Sequence, residues 1–152
     1  MKIFLVAVGR MKASPEKTLY EHYTGRLSWP IKLKEIELKK ETDIASRKTR
    51  EGEALLAAVP ERARIVALDE RGKPFSSEEF AKRIGTWQDS GEQTIAFLIG
   101  GADGLDKAVR ERADLILSFG ALTWPHMLVR GLLAEQLYRA QSILSGHPYH
   151  RA

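Results

Sequence analysis

Apolar residues follow two different rhythms along this chain. In the first they crowd into short, nearly unbroken runs: "KIFLVAVG" at the start, "RIVALD" at 64–69, "QTIAFLIG" at 93–100 and "DLILSFG" at 114–120. Runs of that length, rich in β-branched residues, predict strands buried on both faces. "KLKEIELKK" is a weaker strand, with Ile36 and Leu38 on one face among lysines, and suits a sheet edge. In the second rhythm apolar residues recur every three or four positions. Leu19, Tyr23 and Leu27 predict a helix over 15–28, opened by a Ser14-Pro15 cap and first turn. Asp43 caps a helix through about 58, and Ser76 with Glu79 forms a capping box opening a helix to about Trp87. A helix near 105–112 and a long one over 126–145 complete the set. Strands that alternate with helices predict an α/β fold, a mostly parallel sheet with helices on both faces.

The last helix carries Val129, Leu132, Leu133, Leu137, Ile143 and Leu144, flanked by Met127, Leu128 and Tyr138. That is wider than one apolar stripe, so the helix is expected to pack on the sheet and on a further surface, such as a second copy of the chain.

At 152 residues the chain is read as a single domain over 1–152. Its 43% hydrophobic and 29% charged residues exclude a disordered chain. With no cysteine, neither disulfides nor a thiolate zinc site can form. The opening apolar run is too short for a signal peptide, and no stretch approaches a membrane span of about 18–20 residues. A soluble, cytoplasmic protein is expected. The net charge of +4 is compatible with nucleic acid without requiring it. Lys32, Lys34, Lys39, Lys40, Arg47, Lys48 and Arg50 crowd one stretch, and Arg130, Arg139, His147, His150 and Arg151 form a second basic group.

Ligands of parallel sheets bind outside the carboxyl ends of the strands. Three such ends stand out: Leu68-Asp69, Gly100-Gly101, and Phe119 through Thr123. The "GGADG" loop lets backbone approach a ligand closely, but it is neither a G-x-G-x-x-G nor a phosphate-loop motif. In "FGALTWPH", small Gly120 and Ala121 between Phe119 and Leu122 give a loop able to face a flat heterocycle. Pro125 suits the first helical turn, where His126 is favoured in its neutral form. The tail "GHPYHRA" suits stacking and phosphate contact through Tyr149 and Arg151. His147 and His150 lack the further ligands of a metal site, so no metal is expected.

"LIGGADG", followed by "LSFGALTWPHMLVRGLLAEQLYRAQSILSGHPYHR", resembles the C-terminal signature of the RlmH family, SPOUT-class methyltransferases acting on N3 of a pseudouridine in 23S rRNA. "IVALDERGKPFSSEEFA" and "MKIFLVAVGR" are similar to its middle and start, so the resemblance covers the chain. It implies a C-terminal trefoil knot, a homodimer, and an assembled ribosome as substrate. It also implies S-adenosylmethionine held by Leu68, Gly100, Gly101 and the run Phe119, Gly120, Ala121, Leu122, Thr123 and Trp124. Gly120 departs from the family's usual serine, and Trp124 from its usual aliphatic residue or phenylalanine. His126, Tyr149, His150 and Arg151 are the catalytic candidates. Arg130, Arg139, Tyr149 and Arg151 are the candidates for substrate contact. The tail is expected to reach a partner's site. Two rivals remain: a non-catalytic ribosome-binding dimer, and a nucleotide-binding α/β protein without an RNA partner.

Overall fold

The computed structural model describes all 152 residues. Its strands are β1 (Lys2–Val8), β2 (Ile31–Ile36), β3 (Arg64–Lys73), β4 (Thr94–Ile99) and β5 (Leu115–Leu117). They form one sheet in the order β2-β1-β4-β3-β5, with every neighbouring pair parallel. The lysine-bearing β2 lies at an edge, as its pattern predicted. The helices are α1 (Pro15–Thr24), α2 (Ile44–Ala57), α3 (Ser77–Asp89), α4 (Lys107–Arg112) and α5 (His126–Ser145).

Residue alternation in the central strands divides the core in two. On one face Ile3, Leu5, Phe97 and Ile99 pack with residues of α1, α3 and α5; on the other, Phe4, Val6, Ala96 and Leu98 pack with α2 and α4. Strands buried on both sides therefore show no polar positions, which is why these runs are continuously apolar. Helix α5 lies between α1 and α3. Its broad apolar coverage is thus largely consumed within the chain. A Cβ on Gly131 would lie 2.7 Å from Leu19 Cδ2, so glycine sets how closely α5 meets α1.

Several boundaries differ from the pattern. Helix α1 stops at Thr24 rather than 28, where Gly25 N–H caps it by donating to Glu21 O at 2.9 Å. Strand β3 runs beyond 69 through a register shift between Leu68 and Lys73, and β5 keeps only three paired residues. The ladder ends where Ser118 N–H donates to Lys73 O at 3.0 Å, freeing residues 119–125 to form a loop. Helix α4 starts at Lys107, because Leu105 turns inward as a core residue and is only 2% exposed. Pro125 is the N-cap of α5, one residue earlier than expected. The capping box of α3 forms as read: Ser76 Oγ accepts from Glu79 N–H, and Ser76 N–H donates to Glu79 Oε1, both at 3.1 Å. No helix is long and apolar enough to cross a membrane.

Candidate active site

Because all five strands run the same way, their carboxyl ends open on one edge of the sheet. Beyond β3, β4 and β5 lies a cleft of about 260 Å³. Leu68 and Asp69 line it from β3, Gly100 and Gly101 follow β4, and Phe119, Gly120, Leu122, Thr123 and Trp124 follow β5. Of the residues expected to hold a ligand, Ala121 alone lies outside the lining, exposed to solvent.

The loops are shaped by backbone more than by side chains. A Cβ on Gly100 would fall 2.7 Å from Gly104 O, so the turn closes only around glycine. Gly120 adopts φ +104, open to glycine and strained for other residues, and donates its N–H to Ser118 Oγ at 3.0 Å. The Trp124 indole N–H reaches back to Phe119 O at 3.3 Å and closes the loop. Leu122 is 71% exposed and Trp124 40% exposed at the cleft mouth. Uncovered apolar side chains beside a polar floor suit a flat, partly apolar ligand. Asp69, which the sequence reading passed over as an acceptor, supplies that floor. Its side chain is 5% exposed, accepts Arg71 N–H at 2.8 Å, and can take a hydroxyl donor from a ligand.

His126 lines the same cleft from the first turn of α5. Burial holds its imidazole below the usual histidine range, and the charge on Arg130 lowers it further. The neutral ring is therefore the form present at pH 7, in line with the expectation from the helix end. Its Nδ1 is buried without a hydrogen-bond partner.

Arg130, expected to face RNA phosphate, is instead fully buried, which corrects that assignment. Its guanidinium donates to Glu35 Oε2 at 2.6 Å, Gly9 O at 2.8 Å and Val8 O at 3.2 Å. Glu35 Oε2 also accepts Met11 N–H at 2.7 Å. The cluster ties α5 to the ends of β1 and β2, fixing the turn on which His126 stands. Burial pushes the Glu35 carboxyl up, but the Arg130 and Met11 hydrogen bonds outweigh it and hold the group below its ordinary value. Tyr20, buried beside this pair, is pushed up to about 12, mainly by burial.

The tail folds back on its own chain. Tyr149 meets Tyr138 edge-on at 4.7 Å between ring centroids, and its hydroxyl donates to Glu135 Oε1 at 2.9 Å. Arg139 lies over the Tyr149 ring at 4.8 Å and bonds Glu135, while His150 Nδ1 sits 3.0 Å from Arg139. The Glu135–Arg139 pair is thus partly buried and anchors the tail, rather than decorating an open face. Burial first, then bonds to Tyr23 and Glu135, pushes the Tyr149 phenol well above its ordinary range, so it stays protonated. Arg151 is exposed. Glu135 lies nine positions beyond His126 on α5, about 13 Å along the axis. Within one chain, then, Tyr149, His150 and Arg151 are grouped away from the cleft. In the first basic group, Lys34 donates to Ala58 O at 2.9 Å and Arg47 to Asp103 at 2.6 Å, whereas Lys32, Lys39 and Lys40 stay exposed.

Proteins similar to this chain in sequence and in fold point the same way. The family described as "Predicted SPOUT methyltransferase" matches residues 1–150. "Ribosomal RNA large subunit methyltransferase H" of Rhodospirillum centenum is 59% identical over 152 residues, covering all of both chains. Its namesake from Paramagnetospirillum magneticum is 60% identical over 151 residues, 99% of each chain. A crystal structure of a probable methyltransferase from Bordetella pertussis Tohama I shares the fold, with a TM-score of 0.59 at 15% identity over 91% of this chain and 95% of that one. Identity at that level along the full length, on a parallel sheet whose cleft is built from glycine loops, places this chain in the SPOUT methyltransferase family, among the large-subunit ribosomal RNA methyltransferases H.

Proposed function

We propose that this protein transfers a methyl group from S-adenosylmethionine to N3 of a pseudouridine in 23S rRNA of the assembled ribosome, and does so as a cytoplasmic homodimer. The observation that carries this reading is the cleft itself. Leu68, Gly100, Gly101, Phe119, Gly120 and Leu122 converge on one space, with His126 at its edge. Leu122 and Trp124 offer an apolar cover for an adenine, and Asp69 an acceptor for ribose hydroxyls. The family's trefoil knot would be formed where the chain passes from β5 through the 119–125 loop into α5.

When bound, the cofactor supplies an electrophilic methyl on sulfonium, so the chain needs no nucleophile. What its residues do is orient, exclude water and manage one proton. His126, neutral and lining the cleft, is suited to accept the N3 proton. Tyr149, kept protonated, is suited to donate a hydrogen bond and not to act as a base. Arg139, His150 and Arg151 would stabilise the developing anion or a phosphate. The distance along α5 is why the tail is assigned to the cleft of a partner subunit.

Transfer of labelled methyl from the cofactor to assembled ribosomes, compared with free rRNA, tests the function. Labelling of one pseudouridine, stronger on ribosomes, is expected. Cofactor binding without any transfer would favour the non-catalytic dimer, and indifference to ribosomes would favour a nucleotide-binding protein. Binding should weaken steeply with salt if Lys32, Lys39, Lys40 and Arg151 meet phosphates.

A further inference from the structure

The loop that lines the cleft after β4, residues 100–104, is nearly all backbone. Its tip reads Gly101-Ala102-Asp103-Gly104, in which only Asp103 carries a polar side chain. Within the tip, Gly104 N–H donates to Gly101 O at 3.0 Å, and Ala102 and Gly104 are exposed. A turn with two glycines has much conformational freedom to lose, so its shape depends on what grips it. The grip comes from α2. Arg47 Nε donates to Asp103 Oδ2 at 2.6 Å, while Arg47 Nη1 donates to Glu41 O at 2.9 Å. One planar guanidinium therefore ties the cleft loop to the segment between β2 and α2. A Cβ on Gly101 would lie 3.2 Å from Glu51 Oε2, and one on Gly52 3.0 Å from Asp106 Cβ, so α2 runs along the whole turn.

Arg47 and Asp103 keep 35% and 20% of their side chains exposed, and an ion pair that open adds little to global stability. Its neighbours give it a local role. The Asp103 hydrogen bond pushes the Arg47 guanidinium up against the opposing effect of desolvation, and the charges of Asp103, Glu51 and Glu41 add to the rise. Burial pushes the Glu51 carboxyl up, the charge of Asp103 adds to this, and Arg47 opposes it. Arg47 thus sits among three carboxylates, two of which flank Gly101. Without it, Asp103 and Glu51 repel across that glycine, and the exposed turn is the part free to move.

We propose that Arg47 is a positioning residue for the methyl donor: through Asp103 it holds the 101–104 turn in the closed form that lines the cleft. This rests on the function proposed above and assigns part of its cofactor binding to a side chain outside the cleft lining. Arginine suits the task because Nε and Nη1 serve the two segments separately, whereas a lysine offers one compact charge. His126 stands on α5, away from this grip, so cofactor binding depends on Arg47 more than the transfer step does.

The test is calorimetry with S-adenosylmethionine, steady-state methyl transfer to ribosomes and thermal melting. It compares wild type, Arg47→Ala, Arg47→Lys, Asp103→Asn and the double variant of Arg47→Ala with Asp103→Asn. Arg47→Ala should weaken cofactor affinity by about 3- to 10-fold, with Arg47→Lys between it and wild type. KM for the cofactor should rise more than kcat falls. The double variant should bind no more weakly than the weaker single variant, since both changes break one link. Melting temperatures should stay within about 3 °C of wild type. Wild-type affinity in Arg47→Ala overturns the proposal, and so do fully additive losses in the double variant. Tighter binding by Arg47→Ala also overturns it, because Arg47 would then be masking Asp103 from the cofactor's ammonium. A larger drop in melting, with kcat falling as much as affinity, makes Arg47 a structural residue and overturns it too. Absence of cofactor binding by wild type refutes the proposed function itself, and this proposal with it.

Discussion

Replacing Glu35 with glutamine should loosen the whole active-site edge of the sheet. Arg130 is fully buried and keeps one anionic partner, Glu35, at 2.6 Å. An amide preserves the shape and can still accept a hydrogen bond, but it leaves the guanidinium without a counter-charge. Losing one partner of a fully buried pair costs about 3–5 kcal/mol. The Glu35 side chain is 27% exposed, so water screens part of the loss and about 1–3 kcal/mol remains. For a chain of this size that is a fall in Tm of about 2–12 °C. The pH dependence gives a second, independent readout. The Glu35 pKa is lowered in the folded state from an ordinary value of 4.5. Its contribution is therefore complete above about pH 4.5 and is lost as pH falls through the folded value. Urea unfolding at a series of pH values should show a full gap between wild type and Glu35→Gln at pH 7, closing under acid conditions. A gap below about 0.5 kcal/mol at pH 7, or one that stays constant down to pH 3, would refute the reasoning.

Three further outcomes follow from the same geometry. The His126 imidazole, lowered from 6.5 by burial and then by Arg130, should titrate below that value by NMR. Its stability contribution is present above 6.5 and lost as pH falls toward the folded value, and His126→Gln should flatten that limb while cutting methyl transfer far more than cofactor affinity. Gly100→Ala drives a Cβ to 2.7 Å from the Gly104 carbonyl oxygen, so calorimetry should show cofactor affinity reduced about 10-fold or more. Tyr149→Phe removes the 2.9 Å bond to Glu135, so hydrogen exchange over 147–152 should quicken while global stability falls by no more than about 1.5 kcal/mol.

Much of this arrangement could be read from the sequence because its causes are local. Continuous apolar runs gave β1, β3 and β4, since a strand covered on both faces has no room for polar residues. Ser76 with Glu79 gave the start of α3 because a capping box needs only residues within one turn. The cleft residues followed from a general property of parallel sheets, combined with glycines in the loops. What escaped the sequence reading depends on long-range pairing. Arg130, a candidate for substrate contact by its charge, shares a stripe of α5 with Leu133, Ala134 and Leu137, and that spacing marks it as buried. Its partner Glu35 lies 95 positions away in sequence, on the edge strand β2. The extension of β3 to Lys73 depends on a register shift against β5 that no periodicity encodes.

Methyl transfer as described requires the donor to sit in the cleft beyond β3, β4 and β5. A crystal structure of the protein with S-adenosylmethionine tests this most directly. The adenosine should lie between Leu68, Gly100 and the 119–124 loop, under Leu122, with the sulfonium facing His126. Density for the cofactor at any other place, or an empty cleft at saturating concentration, would contradict it.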